Sequence, residues 1–278
     1  MQDRDVYTFD GRQGMKRAIL VVSFGTSHSE TCAKTIEVIE REIQGKYPEY
    51  LVYRAWTSEV IRRKVKARDG VRIFSVKEAL KQMYEDGVKE IVVQPTFLIE
   101  GVESEKMLGE LQDFVNVSTD AMGLMRVVVG KPLLTTQEDQ NKVLDALLAE
   151  WQLQSDEFLL LMGHGSQNEA NAVYEELNML LEQRGCRNIR IGTLHEFEKS
   201  IRYIEQQDHL QKIILASFMI VSGSHAVHNM AGNQESSWKS RLEKAGFEVE
   251  CVMKGLGEYQ EIRNLIYSHL DTIVSEGV

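Results

Sequence analysis

The sequence predicts an α/β protein of two similar lobes, each a parallel sheet flanked by helices and related by internal duplication. Three observations carry this. Short apolar runs without polar alternation recur along the chain, as in strands covered on both faces. Each run is followed by a helical pattern, the order that gives parallel sheets with right-handed crossovers. Two stretches of the first half then recur, in the same order, in the second.

Residues 1–14 mix charges and glycine with no apolar core and are expected to form a flexible extension. The N-terminal lobe is expected over 15–136. Strands are predicted at 17–24, 51–56, 90–99 and 125–130. Helices are predicted at 29–45, between Ser58 and Gly70, between Ser75 and Gly87, and from Ser104; Ser58 and Ser75 suit N-caps. The C-terminal lobe is expected over 137–278. It opens on a helix at 137–151, followed by strands at 158–162, 189–194, 212–221 and 248–254. Helices lie between them at 168–184, 199–209 and 234–246. A last helix from Glu258 is free to pack back on the first lobe.

The repeat rests on two alignments. VVSFGTS (21–27) lies over LMGHGSQ (161–167), so Phe24 faces His164 and Gly25 faces Gly165. IVVQPTFLIEGVE (91–103) lies without gaps over IILASFMIVSGSH (213–225), pairing Gly101 with Gly223 and Glu103 with His225. Two related α/β lobes would face each other across a cleft, a default place for a ligand.

Composition bounds the function. A hydrophobic content of 43% with 27% charged residues is that of a globular protein, and a net charge of −10 disfavours nucleic acid as partner. No apolar run approaches the ~20 residues that span a bilayer, and the N-terminus has no secretory pattern, so a cytoplasmic protein is expected. Cys32, Cys186 and Cys251 are odd in number and widely spaced, which argues for reduced thiols. The basic run Arg62, Arg63, Lys64, Lys66, Arg68 reads either as a solvated helix face or as a site for an anionic ligand. Whether the chain assembles with copies of itself is left open.

Three imidazoles follow predicted strands of the second half, at the sheet end where α/β proteins bind ligands. His164 sits between Gly163 and Gly165 in MGHGS, where paired glycines would let something large approach the backbone. The blander reading of His164 is a loop or helix cap. His195 ends NIRIGTL with Glu196 beside it, and His225 follows QKIILASFMIVSGS. Three such positions exceed what seven histidines give by chance. A closed structural zinc site favours cysteine-rich clusters. An open site for a borderline divalent ion fits better, because imidazole suits cobalt, nickel, iron and zinc. His28, His209 and His269 are expected at the surface, and His228 on an exposed helix face. GxGxxG and GxxxxGK[ST] patterns do not occur. GHGS is not a GxSxG elbow, although Ser23 and Ser166 stay open as nucleophiles.

AILVVSFGTS (18–27), RAWTS (54–58), RDG (68–70), MGHGS (162–166), HAVHNMAGNQESSW (225–238) and GLGE (255–258) resemble the anaerobic sirohydrochlorin cobaltochelatases, class II chelatases with a ferrochelatase-like fold. The resemblance covers residues 16–270. It implies ATP-independent insertion of Co²⁺ into sirohydrochlorin for cobalamin synthesis, with no prosthetic group and no membrane partner. The family's metal-facing histidines fall on His164 and His225, which would present the ion and accept pyrrole protons. His195 or Glu196 would complete the metal shell. Ser23, Gly25, Thr26, Ser27, Arg54 and Glu103 would hold the tetrapyrrole, with Arg62 and Arg63 as further cations for its carboxylates. The chain departs from the family at His195, where glutamate is usual, at Phe97, where histidine is usual, and at Ser224, where aspartate is usual. A softer donor set implies a shift toward Ni²⁺ or Zn²⁺ in affinity, with Fe²⁺ a further candidate. The alternative is a tetrapyrrole or metal carrier that kept the cleft and lost the chemistry.

Overall fold

Strand β1 (Lys16–Ser23) shows how the molecule is layered. Ala18, Leu20 and Val22 pack with helices on one face, while Ile19 and Val21 join the central core on the other. The computed structural model describes residues 16–118 and 126–275; the extension predicted over 1–14 lies outside them.

The first sheet is built from β1, β2 (Leu51–Trp56), β3 (Val88–Pro95) and β4 (Arg126–Val129) in the order β2-β1-β3-β4, all parallel. Its helices are α1 (Ser29–Lys34), α2 (Ile36–Lys46), α3 (Glu59–Asp69), α4 (Val76–Glu85) and α5 (Val102–Ser118). Ser58 caps α3 by accepting from the Ile61 amide, and Ser75 forms a capping box with Glu78 on α4. After α6 (Gln137–Glu150) comes the second sheet: β5 (Glu157–Gly163), β6 (Ile189–Thr193), β7 (Lys212–Phe218) and β8 (Glu248–Val252). Its order, β6-β5-β7-β8, repeats the first. Helices α7 (Ala172–Gln183), α8 (Phe197–Ile204) and α9 (Trp238–Lys244) connect these strands, and α10 (Gln260–Ser275) ends the chain.

The ladders bear out the duplication. Val21 pairs with Gln94 in the first sheet, and Leu161 pairs with Ala216 in the second. These are residues that the two alignments superpose independently. The symmetry continues past the strands. β3 and β7 both stop short of their predicted ends, at Pro95 and Phe218. The chain then leaves the sheet, and the carbonyls of Phe97 and Leu98 accept from the Leu133 and Leu134 amides. In the second lobe the carbonyls of Met219 and Ile220 accept from Leu256 and Gly257. The predicted helix over 29–45 is broken at Thr35, whose hydroxyl bonds the Thr31 carbonyl 2.6 Å away while its backbone turns out of the helical region.

One apolar cluster runs through both lobes, joining Ile19, Val21 and Val92 to Leu159, Leu161 and Ile214. Helix α10 belongs to it through the fully buried Ile266 and Leu270, each side chain contributing about 1.5–3 kcal/mol by leaving water. Polar contacts tie α10 to α2 of the first lobe. Arg263 Nε lies 2.9 Å from Glu42 Oε2, the Tyr267 hydroxyl donates to the same oxygen at 2.6 Å, and Asp271 accepts from Lys46 and Tyr47. His269, expected at the surface, is a clamp: Nε2 is 3.0 Å from Asp139 of α6 and Nδ1 is 3.3 Å from the Lys131 carbonyl. No helix among the described residues is long and apolar enough to cross a membrane.

Candidate active site

The carboxyl ends of β1 and β3 face those of β5, β6 and β7 across a cleft of ≈ 690 Å³. Equivalent glycines and hydroxyls bring the lobes together at its base. A Cβ on Gly101 would stand 2.9 Å from Ser166 Oγ, and one on Gly223 would stand 3.3 Å from Thr26 Oγ1. Thr26 and Ser166 are themselves matching positions of the repeat.

His164 follows β5 on a tight loop. Its flanking glycines are required at least by the protein's own side chains. A Cβ on Gly163 would lie 2.6 Å from the Tyr174 ring. Gly165 has φ +78°, and a Cβ there would lie 2.9 Å from Thr193 Cβ. The Ser166 amide donates to Asn171 Oδ1 at 2.9 Å, fixing the loop against the turn that leads into α7.

His225 opens a π-helical turn, Ala226–Met230, beyond β7. Its ring lies edge-on to that of His164, with centroids 4.8 Å apart and planes at 73°. In both rings Nδ1 has an oxygen acceptor: the Gly165 carbonyl at 3.0 Å for His164, and Asn229 Oδ1 at 3.1 Å for His225. For His164 a carbonyl can only accept, so Nδ1 carries the hydrogen and the Nε2 lone pair stays free for a metal. The same tautomer suits His225. Burial pulls the His225 imidazole below its ordinary pKa; the Asn229 bond opposes this, and the neighbouring His164, His195 and His228 add to it. The shift favours the neutral form of the ring, the form in which an imidazole can ligate a metal.

His195, at the end of β6, lines the same cleft. Among the described residues, however, no three His, Cys, Asp or Glu side chains converge as a ready metal shell. Two imidazoles that leave other coordination positions open suit an ion that is handed on. Opposite them stands the first lobe. Phe24, 39% exposed, has its ring centroid 6.4 Å from that of His164. Glu103 also lines the cleft, and its Oε2 is buried with no hydrogen-bond partner. Its neighbour Glu105 accepts from Asn168 Nδ2 at 2.7 Å and bridges the lobes.

The sequence profile of the cobalt chelatase (CbiK) family matches residues 17–275. The chain belongs to the cobalt chelatase family. It is 33% identical over 268 residues to the sirohydrochlorin cobaltochelatase of Salmonella typhimurium, covering 95% of this chain and 98% of that one. It is 30% identical over 265 residues to the sirohydrochlorin cobaltochelatase CbiKC of Nitratidesulfovibrio vulgaris, covering 94% and 91%. Among solved structures the fold is shared with SirB from Bacillus subtilis with Fe³⁺, at TM-score 0.64 and 14% identity over 95% of this chain and 98% of that one. It is also shared with CbiX, the terminal enzyme for biosynthesis of siroheme in denitrifying bacteria, at TM-score 0.52 and 16% identity, covering 92% and 99%.

Within this chelatase, Ser23, Gly25, Thr26, Ser27 and Glu103 line the cleft beside His164, His195 and His225. Ser23 is buried, and its Oγ accepts from Thr96 at 2.9 Å. Four expected residues are elsewhere. Arg54 turns toward α2, where its Nε lies 2.8 Å and 2.9 Å from the two carboxylate oxygens of Glu40, outside the cleft. Glu196 stands just before α8 and accepts from Thr193 Oγ1 at 2.6 Å, so it is His195 and not Glu196 that reaches the cavity. Arg62 and Arg63 are also outside the lining, Arg62 held by Glu78 at 3.2 Å. Of the basic run, Lys64 alone lines the cleft, whereas Asn229 and Tyr174 were missed by sequence reasoning. Asn229 carried one usable signal, its i+4 spacing from His225 in a helical pattern.

Proposed function

We propose that this chain inserts Co²⁺ into sirohydrochlorin without ATP, with the free Nε2 atoms of His164 and His225 presenting the ion. The observation that carries this reading is the edge-on imidazole pair inside a cleft between two lobes. As the metal enters the ring, both pyrrole N–H protons must leave. Glu103, whose buried Oε2 has no partner, is placed to accept one. The imidazoles released by the departing ion can take the other, so charge is balanced at the site. Phe24 on the facing wall supports the macrocycle against the metal side.

Membership of the cobalt chelatase family and the kinship to two sirohydrochlorin cobaltochelatases support the substrate assignment. The reading takes residues 15–136 and 137–278 as the two lobes, with α10 returning to the first. It takes the enzyme as cytoplasmic on its three free thiols, and as needing no prosthetic group. His195 in the cleft supports a wider metal range, including Ni²⁺ and Fe²⁺.

The test is to mix the protein with an excess of sirohydrochlorin and Co²⁺ and to follow the absorption spectrum. An enzyme converts many equivalents. Saturation after one equivalent would replace this reading with that of a carrier.

A further inference from the structure

One side of the cleft is formed by α3, and only part of that helix faces inward. Val60, Ile61 and Lys64 line the cavity. These positions are one and four residues apart, so they share a helix face. Val60 is 55% exposed, an apolar side chain left open in a cleft, and Lys64 stands one turn further along.

The other cations near the cleft are engaged. Arg62 pairs with Glu78, and Arg68 with Asp69 and the Ser27 carbonyl. Lys106 donates to the Thr57 carbonyl. Arg63 lies 3.6 Å from Glu59 and outside the lining. Among the described residues, Lys64 is the one lysine or arginine that lines the cavity, and it has no carboxylate within ion-pair distance.

We infer that Lys64 anchors a peripheral carboxylate of the tetrapyrrole and sets the enzyme's selectivity for carboxylate-bearing macrocycles. The inference rests on the reading of the cleft as a tetrapyrrole site, and it extends that reading to an orienting residue. A flat apolar ring edged with carboxylates matches a helix face that is apolar at Val60 and Ile61 and cationic a turn later. The protein carries a net charge of −10, so an anionic substrate needs local attraction to enter. A single cation on the wall opposite the histidines also fixes which edge of the ring points inward.

The experiment compares wild type with Lys64→Gln, Lys64→Glu and Lys64→Arg. Steady-state Co²⁺ insertion is measured across a range of salt, alongside direct titration of each protein with metal-free sirohydrochlorin. Lys64→Gln is expected to raise KM and the dissociation constant roughly three- to tenfold, scaled to a solvent-accessible charge pair. Lys64→Glu should raise both further, and Lys64→Arg should restore them, with kcat within about twofold throughout. The salt dependence of KM should flatten in Lys64→Gln. A tetrapyrrole with esterified carboxylates should bind all four proteins alike. Wild-type affinity and salt dependence in Lys64→Glu would overturn the inference. If wild type turns over no Co²⁺, the catalytic reading fails, and the metal-free titration alone still decides Lys64. Absence of sirohydrochlorin binding by wild type would overturn both.

Discussion

Phe24 and His164 hold matching positions in the two halves, and their rings face each other across the cleft with centroids 6.4 Å apart. One strand along, Glu103 and His225 are likewise matching positions of the repeat, and both line the cleft. Duplication kept the geometry of the loops and let the chemistry diverge. The second lobe lines the cleft with imidazoles, while the first lines it with an aromatic face and a carboxylate. In the proposed reading, a macrocycle between them would meet the ion on one side and a supporting ring and proton acceptor on the other.

Asn229 positions His225 through the Nδ1 bond at 3.1 Å. Asn229→Ala should weaken Co²⁺ binding about tenfold or more, the usual consequence of losing a partner behind a ligating histidine. Asn229→Asp should recover most of it, and thermal stability should stay close to wild type in both. A metal titration of the purified variants checks this, and unchanged affinity in Asn229→Ala would remove the positioning role.

Gly25 has φ +94°, and an added Cβ would lie 2.6 Å from the Trp56 ring. Gly25→Ala combines backbone strain with overpacking and should cost about 2–4 kcal/mol of stability. Thermal unfolding should show the midpoint falling by several degrees. A variant as stable as wild type would mean that the loop moves freely.

The contacts that hold α10 to the rest of the protein should fail in acid. Burial raises the Glu42 carboxyl, but hydrogen bonds from Arg263 and Tyr267 outweigh it and hold the group below its ordinary pKa. Burial likewise opposes the Lys46 and Tyr47 bonds to Asp271 and the Thr136 and His269 bonds to Asp139, and in both cases the bonds prevail. A carboxyl with a depressed folded pKa contributes stability that is present above its unfolded pKa and is lost as pH falls through the folded one. Stability should therefore hold down to the ordinary carboxylate values of 3.8–4.5 and decline below them. Urea unfolding as a function of pH measures this. Glu42→Gln should show a shallower decline, and an identical pH profile would remove Glu42 from the set.

The repeat was legible because buried strands and their terminal glycines leave a pattern that hydrophobicity alone reports. The same signal overran β3 and β7. Residues 97–98 and 219–220 remain apolar or buried, yet their carbonyls pair with later segments, and burial does not reveal which backbone group is the partner. The histidine pair was legible as strand-end residues. Arg54 was misplaced because its acidic partner, Glu40, lies on another element and cannot be read from the local run. Helical phase separates Lys64 from Arg62, and a single turn separates His195 from Glu196. At such distances in sequence, only coordinates decide which side chain reaches the cavity.

The convergence of two imidazoles is tested most directly by steady-state Co²⁺ insertion into sirohydrochlorin with His164→Ala and His225→Ala, each confirmed as folded by circular dichroism. Both rings are partly exposed, so neither truncation should disturb the fold. Each variant is expected to lose activity by about a hundredfold or more. Turnover close to wild type in either one would contradict the assignment of the metal to this pair.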